Sequence, residues 1–216
     1  MWDLQMAKKA AAALGVALAV FFLPNLPYLK THVDFLFSSG SVSADASADI
    51  ETDGSDLLSP DTIAIPHIRL RAPLIYIDET RESVIQEALK GGVVHYAGTA
   101  LPGEIGNAYY VGHSSDLSWN SGEYKTVFAL LPYLKPGHRI YVTDAERNTF
   151  AYVVIETRVV RPNDLSVLDQ GDGTESLLTL QTSYPLGTAL RRLLVIAHLE
   201  SGEPDVEIEV SSDGSL

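Results

Sequence analysis

Residues 149–160, TFAYVVIETRVV, are mostly β-branched and aromatic, the types that fit a pleated, half-buried surface. Similar runs recur along the chain. TIAI (62–65) and PLIYI (73–77) lie beside Pro66 and Pro73, and NAYYVG (107–112) and RIYVT (139–143) follow. DVEIEV (205–210) alternates strictly, with Val206, Ile208 and Val210 on one face. One helix is predicted. Thr80 can cap it, Val84, Ile85, Ala88 and Leu89 share a face, and Gly91 can end it. A second short helical piece is predicted through TVFALL (126–131), stopped by Pro132. Many short strands with few helices predict a mostly-β domain over 58–210, a closed barrel or a sandwich, with a polar tail at 211–216.

The N-terminal segment follows a different rule. An uninterrupted apolar run covers Ala10 to Leu23, and continuing through Pro24, Asn25 and Pro27 to Leu29 makes 20 residues. That is about the length a helix needs to cross a bilayer. Lys8 and Lys9 on its amino side favour a cytoplasmic 1–9 and an outward-facing remainder. A cleaved signal peptide is the competing reading. Ala44-Asp45-Ala46 has the right form for cleavage but lies some twenty residues beyond Leu23, too far for an ordinary cleavage site, so the expectation is a single-pass transmembrane anchor over 10–29. Residues 38–56 are Ser, Ala, Asp and Gly with almost nothing apolar, and cannot bury enough surface to offset their ordering entropy. A flexible extracellular linker over 30–57 is therefore expected between membrane and domain.

Charge and residue usage exclude several functions. A formal net charge of −13 argues against nucleic-acid binding through a broad basic face. The chain has no cysteine, so disulfides, thiolate metal sites and a cysteine nucleophile are excluded. His32, His67, His95, His113, His138 and His198 show no metal-ligand spacing. No metal and no cofactor is expected.

Chemistry is left to a few polar residues inside the β pattern. His113 follows a strand and a glycine in YYVGHSS, where it can sit in a cleft and titrate near neutrality. Alone, such a histidine is more often a hydrogen-bonded surface residue. Ser183 ends the run LLTLQTS, and alone it reads as a strand-end serine bonded to backbone. No G-x-S-x-G elbow surrounds it. Arg191 and Arg192 follow a Pro-Gly loop, and strand alternation sends one to each face. Alone, that pair is solvated charge.

Together these stretches resemble the sortases, membrane-anchored cysteine transpeptidases of bacterial surfaces. LTLQTSYPLGTALRRLLVIA is similar to the family signature of Thr-Leu-x-Thr-Cys, then Pro and Gly, then an arginine nine residues after the cysteine. Thr179, Leu180, Thr182, Pro185, Gly187 and Arg192 match, and Ser183 occupies the cysteine position. GGVVHYAGTALPGEIGNAYYVGHSS resembles the segment that ends in the family's catalytic histidine, here His113. VFALLPYLKPGHRIYV and IAIPHIRLRAPLI resemble the stretch after it and the opening strands. The match covers roughly 60–199, in order.

The resemblance implies an eight-stranded sortase-type β-barrel with one or two short helices and a cleft. Its catalytic residues would be His113, Ser183 and Arg192. Its partners would be a sorting-signal peptide of surface proteins, often of the Leu-Pro-x-Thr-Gly type, and an amine acceptor from cell-wall peptide or a pilin lysine. In such a site the nucleophile splits one hard step into two, His113 would protonate the leaving amine, and Arg192 would stabilise the oxyanion or hold the peptide backbone.

Serine departs from this scheme at its centre. A thiol is partly ionised near neutrality, whereas a hydroxyl needs a positioned general base. Asp116 is the nearest candidate to orient His113. The expectation is a sortase-like transpeptidase domain that is inactive or severely impaired. A peptide-binding pseudo-sortase, a genuine Ser-His transpeptidase or hydrolase, and a membrane-tethered β scaffold without catalysis stay open beside it.

Overall fold

A computed structural model describes residues 2–22, 26–38, 59–115, 122–185 and 187–200. DVEIEV, Asp116 and linker residues 39–57 lie outside these segments. The elements, in chain order, are helices α1 (Trp2–Phe22) and α2 (Leu26–Ser38), strands β1 (Thr62–Ile65) and β2 (Leu70–Tyr76), helix α3 (Glu82–Ala88), then strands β3 (Val93–His95), β4 (Gly106–Val111), β5 (Arg139–Thr143), β6 (Thr149–Val160), β7 (Ser176–Tyr184) and β8 (Arg191–Leu199).

The eight strands close into a barrel in the order β1-β2-β3-β4-β7-β8-β6-β5. Most neighbours are antiparallel, but β2 pairs with β3, and β4 with β7, in parallel. A parallel pair needs a long crossover. Between β2 and β3 that crossover carries α3 across the outside of the barrel. Strand β6, predicted from the run at 149–160, is long enough to pair with β5 through its first half and β8 through its second. Its register shifts between Val154 and Glu156, a bulge that bends the strand around the barrel.

Alternation along each strand decides what lies inside. Ala108, Tyr110, Leu178, Leu180, Val195 and Ala197 point into the barrel and join one continuous core. Their neighbours Tyr109, Leu194 and Ile196 point outward and are nonetheless buried, beneath Val167 and Leu168 of the β6–β7 connection. Beside them α3 lays Ile85 and Leu89 on Val94, also outside the barrel. Apolar cover on both faces explains why LLVIA (193–197) reads as a continuous apolar run.

Some local expectations are corrected. Thr80 does not cap α3. The residue at the helix entry is Arg81, in an extended conformation with no side-chain cap, and it pairs with Glu79. TVFALL is not an α-helix. Residues 125–130 form turns with three-residue hydrogen bonds, Ala129 N–H to the Thr126 carbonyl and Leu131 N–H to that of Phe128, and pass into a 3₁₀ turn at Leu131–Tyr133. Pro132 supplies no N–H to an α-helical ladder, which favours this tighter form.

Among the described residues no helix is long and apolar enough to cross a membrane. The segment expected as the anchor, 10–29, spans the end of α1, the undescribed residues 23–25 and the start of α2. Residues 30–38, inside the linker expected over 30–57, belong to α2. Its Phe35 packs on the barrel core and on Tyr133, with ring centroids 4.9 Å apart. His32 meets the same tyrosine at 5.5 Å.

Candidate active site

A cleft of about 250 Å³ runs along the outer face of the barrel. Helix α3 forms one wall and residues 162–168 of the β6–β7 connection form the other, while β4, β7 and β8 supply the floor. His113, Ser183 and Arg192 all line it.

The strand ladder explains how they meet. Strands β7 and β8 are antiparallel neighbours in which Ser183 lies directly opposite Arg192, and Tyr184 opposite Arg191. Opposed residues share a face, with Cα atoms about 5 Å apart. Ser183 and Arg192 therefore point the same way, onto the cleft. Arg191 points the other way and is exposed. The Arg192 Nη1 donates to the carbonyls of Ala189, at 3.2 Å, and Arg191, at 3.1 Å, bracing the end of the β7–β8 loop. The Gly187 N–H donates to Ser115 Oγ at 3.2 Å, tying that loop to the segment that follows His113.

His113 arrives from β4. That strand runs parallel to β7 with Val111 beside Gln181, and continuing the register two places sets His113 alongside Ser183. Gly112 is held on both sides. Its N–H donates to the Gln181 carbonyl at 3.1 Å, and its carbonyl accepts from the buried Thr182 Oγ1 at 2.8 Å. The His113 carbonyl accepts from the Phe128 N–H at 2.8 Å. The Phe128 ring lies against Gly112 so closely that a Cβ there would fall 2.5 Å from Cδ2. YYVGHSS and VFALLPYLKPGHRIYV thus meet in one contact, Gly112 and His113 against Phe128.

Two cleft residues were not singled out in the sequence. Tyr109, buried in the floor, donates its hydroxyl to Gln181 Oε1 at 2.7 Å. Burial pushes this phenol up, against an opposing pull from the Arg192 charge. Strand alternation was the signal for Gln181. If Ser183 faces a cleft, the residue two before it faces the same cleft. Tyr109 gave none, because YY does not say which ring points inward.

The remaining histidines stand apart. His95 is buried inside the barrel end, its Nε2 2.9 Å from the Ala100 carbonyl and 3.2 Å from Thr99 Oγ1. His67 and His138 stack on each other with centroids 3.6 Å apart. Among the described residues no group of three or more His, Asp or Glu could hold a metal ion.

Fold and cleft together define a class: a closed eight-stranded barrel carrying, on its outer face, a groove with a hydroxyl, an imidazole and a guanidinium at one end. The chain belongs to the sortase family, whose sortase domain matches residues 63–200. It is 27% identical over 174 residues to sortase A of Streptococcus agalactiae, a match covering 79% of this chain and 64% of that relative's length. The crystal structure of sortase C1 from Streptococcus agalactiae is similar at 30% identity and a TM-score of 0.54, covering 66% of this chain and 67% of that one. Sortase A from Corynebacterium diphtheriae shares the fold at 24% identity and a TM-score of 0.55, over 94% of this chain and 98% of that one.

Proposed function

We propose that this domain binds a sorting-signal peptide in the outer cleft of a sortase barrel and, with Ser183 in the nucleophile's position, is inactive or severely impaired in transpeptidation. The observation that carries this reading is the register that sets Ser183 opposite Arg192 on the face His113 also lines. A scaffold without a peptide site has no need to gather these three groups in one groove. A serine hydroxyl is un-ionised near neutrality and attacks only with help from a base, whereas a thiolate needs none at that moment. Serine also fits the site with little steric strain, which leaves folding and peptide binding intact.

The domain acts outside the cytoplasmic membrane, tethered by 10–29. Lys8 and Lys9 ahead of the apolar run and the polar residues after it support that orientation.

Ser183→Cys tests the reading. In that variant the thiolate attacks the peptide carbonyl, the C–N bond breaks as the leaving amine takes a proton from His113, and a thioester remains. An acceptor amine then attacks the thioester carbonyl, gives a proton to His113 as the new amide forms, and the C–S bond breaks to release the thiolate. Offered a panel of Leu-Pro-x-Thr-like peptides, the variant should accumulate a thioacyl adduct visible by mass spectrometry. Adding His113→Ala or Arg192→Ala should suppress turnover. If the Ser183 protein turns over the accepted peptide at a comparable rate, with an ester on Ser183, the chain is a serine transpeptidase and the reading is wrong.

A further inference from the structure

We propose that Gln181 anchors the substrate: its side-chain N–H donates to the backbone carbonyl of the residue two positions before the one whose carbonyl faces Ser183, with Tyr109 holding the amide in that orientation. The inference rests on the proposed function, which supplies the peptide, and adds where and by what group that peptide is held.

A carboxamide has one acceptor oxygen and one donor NH₂. The oxygen of Gln181 already accepts from the Tyr109 hydroxyl at 2.7 Å. Tyr109 is 1% exposed, and its O–H is directed at the amide oxygen, with burial raising the phenol so that the proton this bond needs is retained. Gln181 therefore presents its nitrogen to the cleft. That nitrogen has no hydrogen-bond partner among the described residues, while Gln181 is half-buried in the floor. Water in the open cleft can reach that donor, and a peptide laid over it displaces the water and offers a carbonyl in its place.

Spacing identifies the acceptor. Gln181 and Ser183 lie on the same face two residues apart, about 6.6 Å along the strand. An extended peptide advances by the same increment, so a carbonyl over Ser183 sets the carbonyl two residues away over Gln181. Direction follows from the two half-reactions. The acyl half stays bound through both, while the leaving half departs after the first. Tyr96, Val167 and Leu168 pack with Tyr109, which bonds Gln181, and Ile85 and Leu89 pack with Val111, which pairs with Gln181, so this part of the cleft is walled, whereas loop residues 187–190 beyond Ser183 are exposed. The walled part suits the half that stays. Its apolar surroundings also strengthen the hydrogen bond.

The test is a ¹⁹F NMR titration of the full-length chain in mild detergent with a trifluoromethyl-labelled Leu-Pro-Ala-Thr-Gly peptide. Three analogues each have one carbonyl, of Leu, Pro or Ala, removed by a trans-alkene isostere. Loss of the proline carbonyl should weaken binding by about threefold to tenfold, the range of one net hydrogen bond. Gln181→Leu should weaken the parent peptide by the same factor and lose sensitivity to the proline alkene. Tyr109→Phe, which keeps the ring and frees the amide, should bind the parent between these limits. Equal binding by the Gln181 and Gln181→Leu proteins, at matched thermal stability, overturns the anchor and leaves the peptide cleft standing. Coupling to the leucine or alanine carbonyl instead overturns the assignment in the same way. No binding of any peptide, by the Ser183 protein or by Ser183→Cys, overturns the proposed function and this inference with it.

Discussion

Gly112→Ala is the sharpest test of how the site is held. The added Cβ would sit 2.5 Å from Phe128 Cδ2 and 2.8 Å from Cε2 and Cγ. Carbon atoms pack at about 3.5–4.0 Å, so the overlap is roughly 1 Å. The Phe128 ring is fully buried in the barrel core and has no open space to enter. Nor can Gly112 retreat without loosening its two bonds to β7. Overpacking of this kind destabilises by about 1–3 kcal/mol. At about 2–4 °C per kcal/mol for a domain of this size, Tm should fall by roughly 2–12 °C. Urea unfolding of Gly112→Ala, Phe128→Leu and the double variant isolates the contact. The smaller leucine side chain leaves room for the methyl, so the double variant should be less destabilised than the sum of the singles by about 1 kcal/mol or more. Within the Ser183→Cys background, Gly112→Ala should also slow acylation, because His113 follows directly and its carbonyl is bonded to Phe128. A neutral Gly112→Ala, or singles that add to within about 0.5 kcal/mol, would refute the argument.

Thr182→Val removes a buried hydroxyl that holds the Gly112 carbonyl. It should lower stability by about 1–2 kcal/mol in urea unfolding, and Thr182→Ser should restore most of it. Stability should also fall on acidification. His67 and His138 are both held below the ordinary histidine value, first by burial, then by neighbouring charge, Lys135 for the former and His67 followed by Lys135 for the latter. His95 is lowered by burial against a partial opposing effect of the Ala100 carbonyl. The unfolded chain therefore takes up these protons first, at about pH 6.5. Their contribution should be complete above that pH and lost as pH falls toward the folded-state values. Calorimetry between pH 7.5 and 5 should follow that loss, and His67→Asn with His138→Asn should flatten the curve. Protease added to intact protoplasts should remove the domain. Full protection would reverse the proposed orientation.

Much of this protein was legible before folding was considered. Strands β1, β2, β4, β5 and β6 lie where short β-branched and aromatic runs predict them, because strand propensity and alternation are local properties. Alternation also required one of Arg191 and Arg192 to face away from the other. Which one faces the cleft depends on the pairing register of β7 and β8, a property of two strands together, and that register selects Arg192. The 126–131 stretch has a helical apolar pattern, yet its backbone is set by contacts elsewhere, the His113 carbonyl and the Gly112 surface. Residues 33–37 carry Val33, Phe35, Leu36 and Phe37, but nothing local says what they pack on, and only the fold brings Phe35 to Tyr133. Tyr109 and Tyr110 are identical neighbours in the sequence. One fills the barrel and the other holds Gln181 in the cleft, a division made only when the sheet closes and gives β4 an inside and an outside.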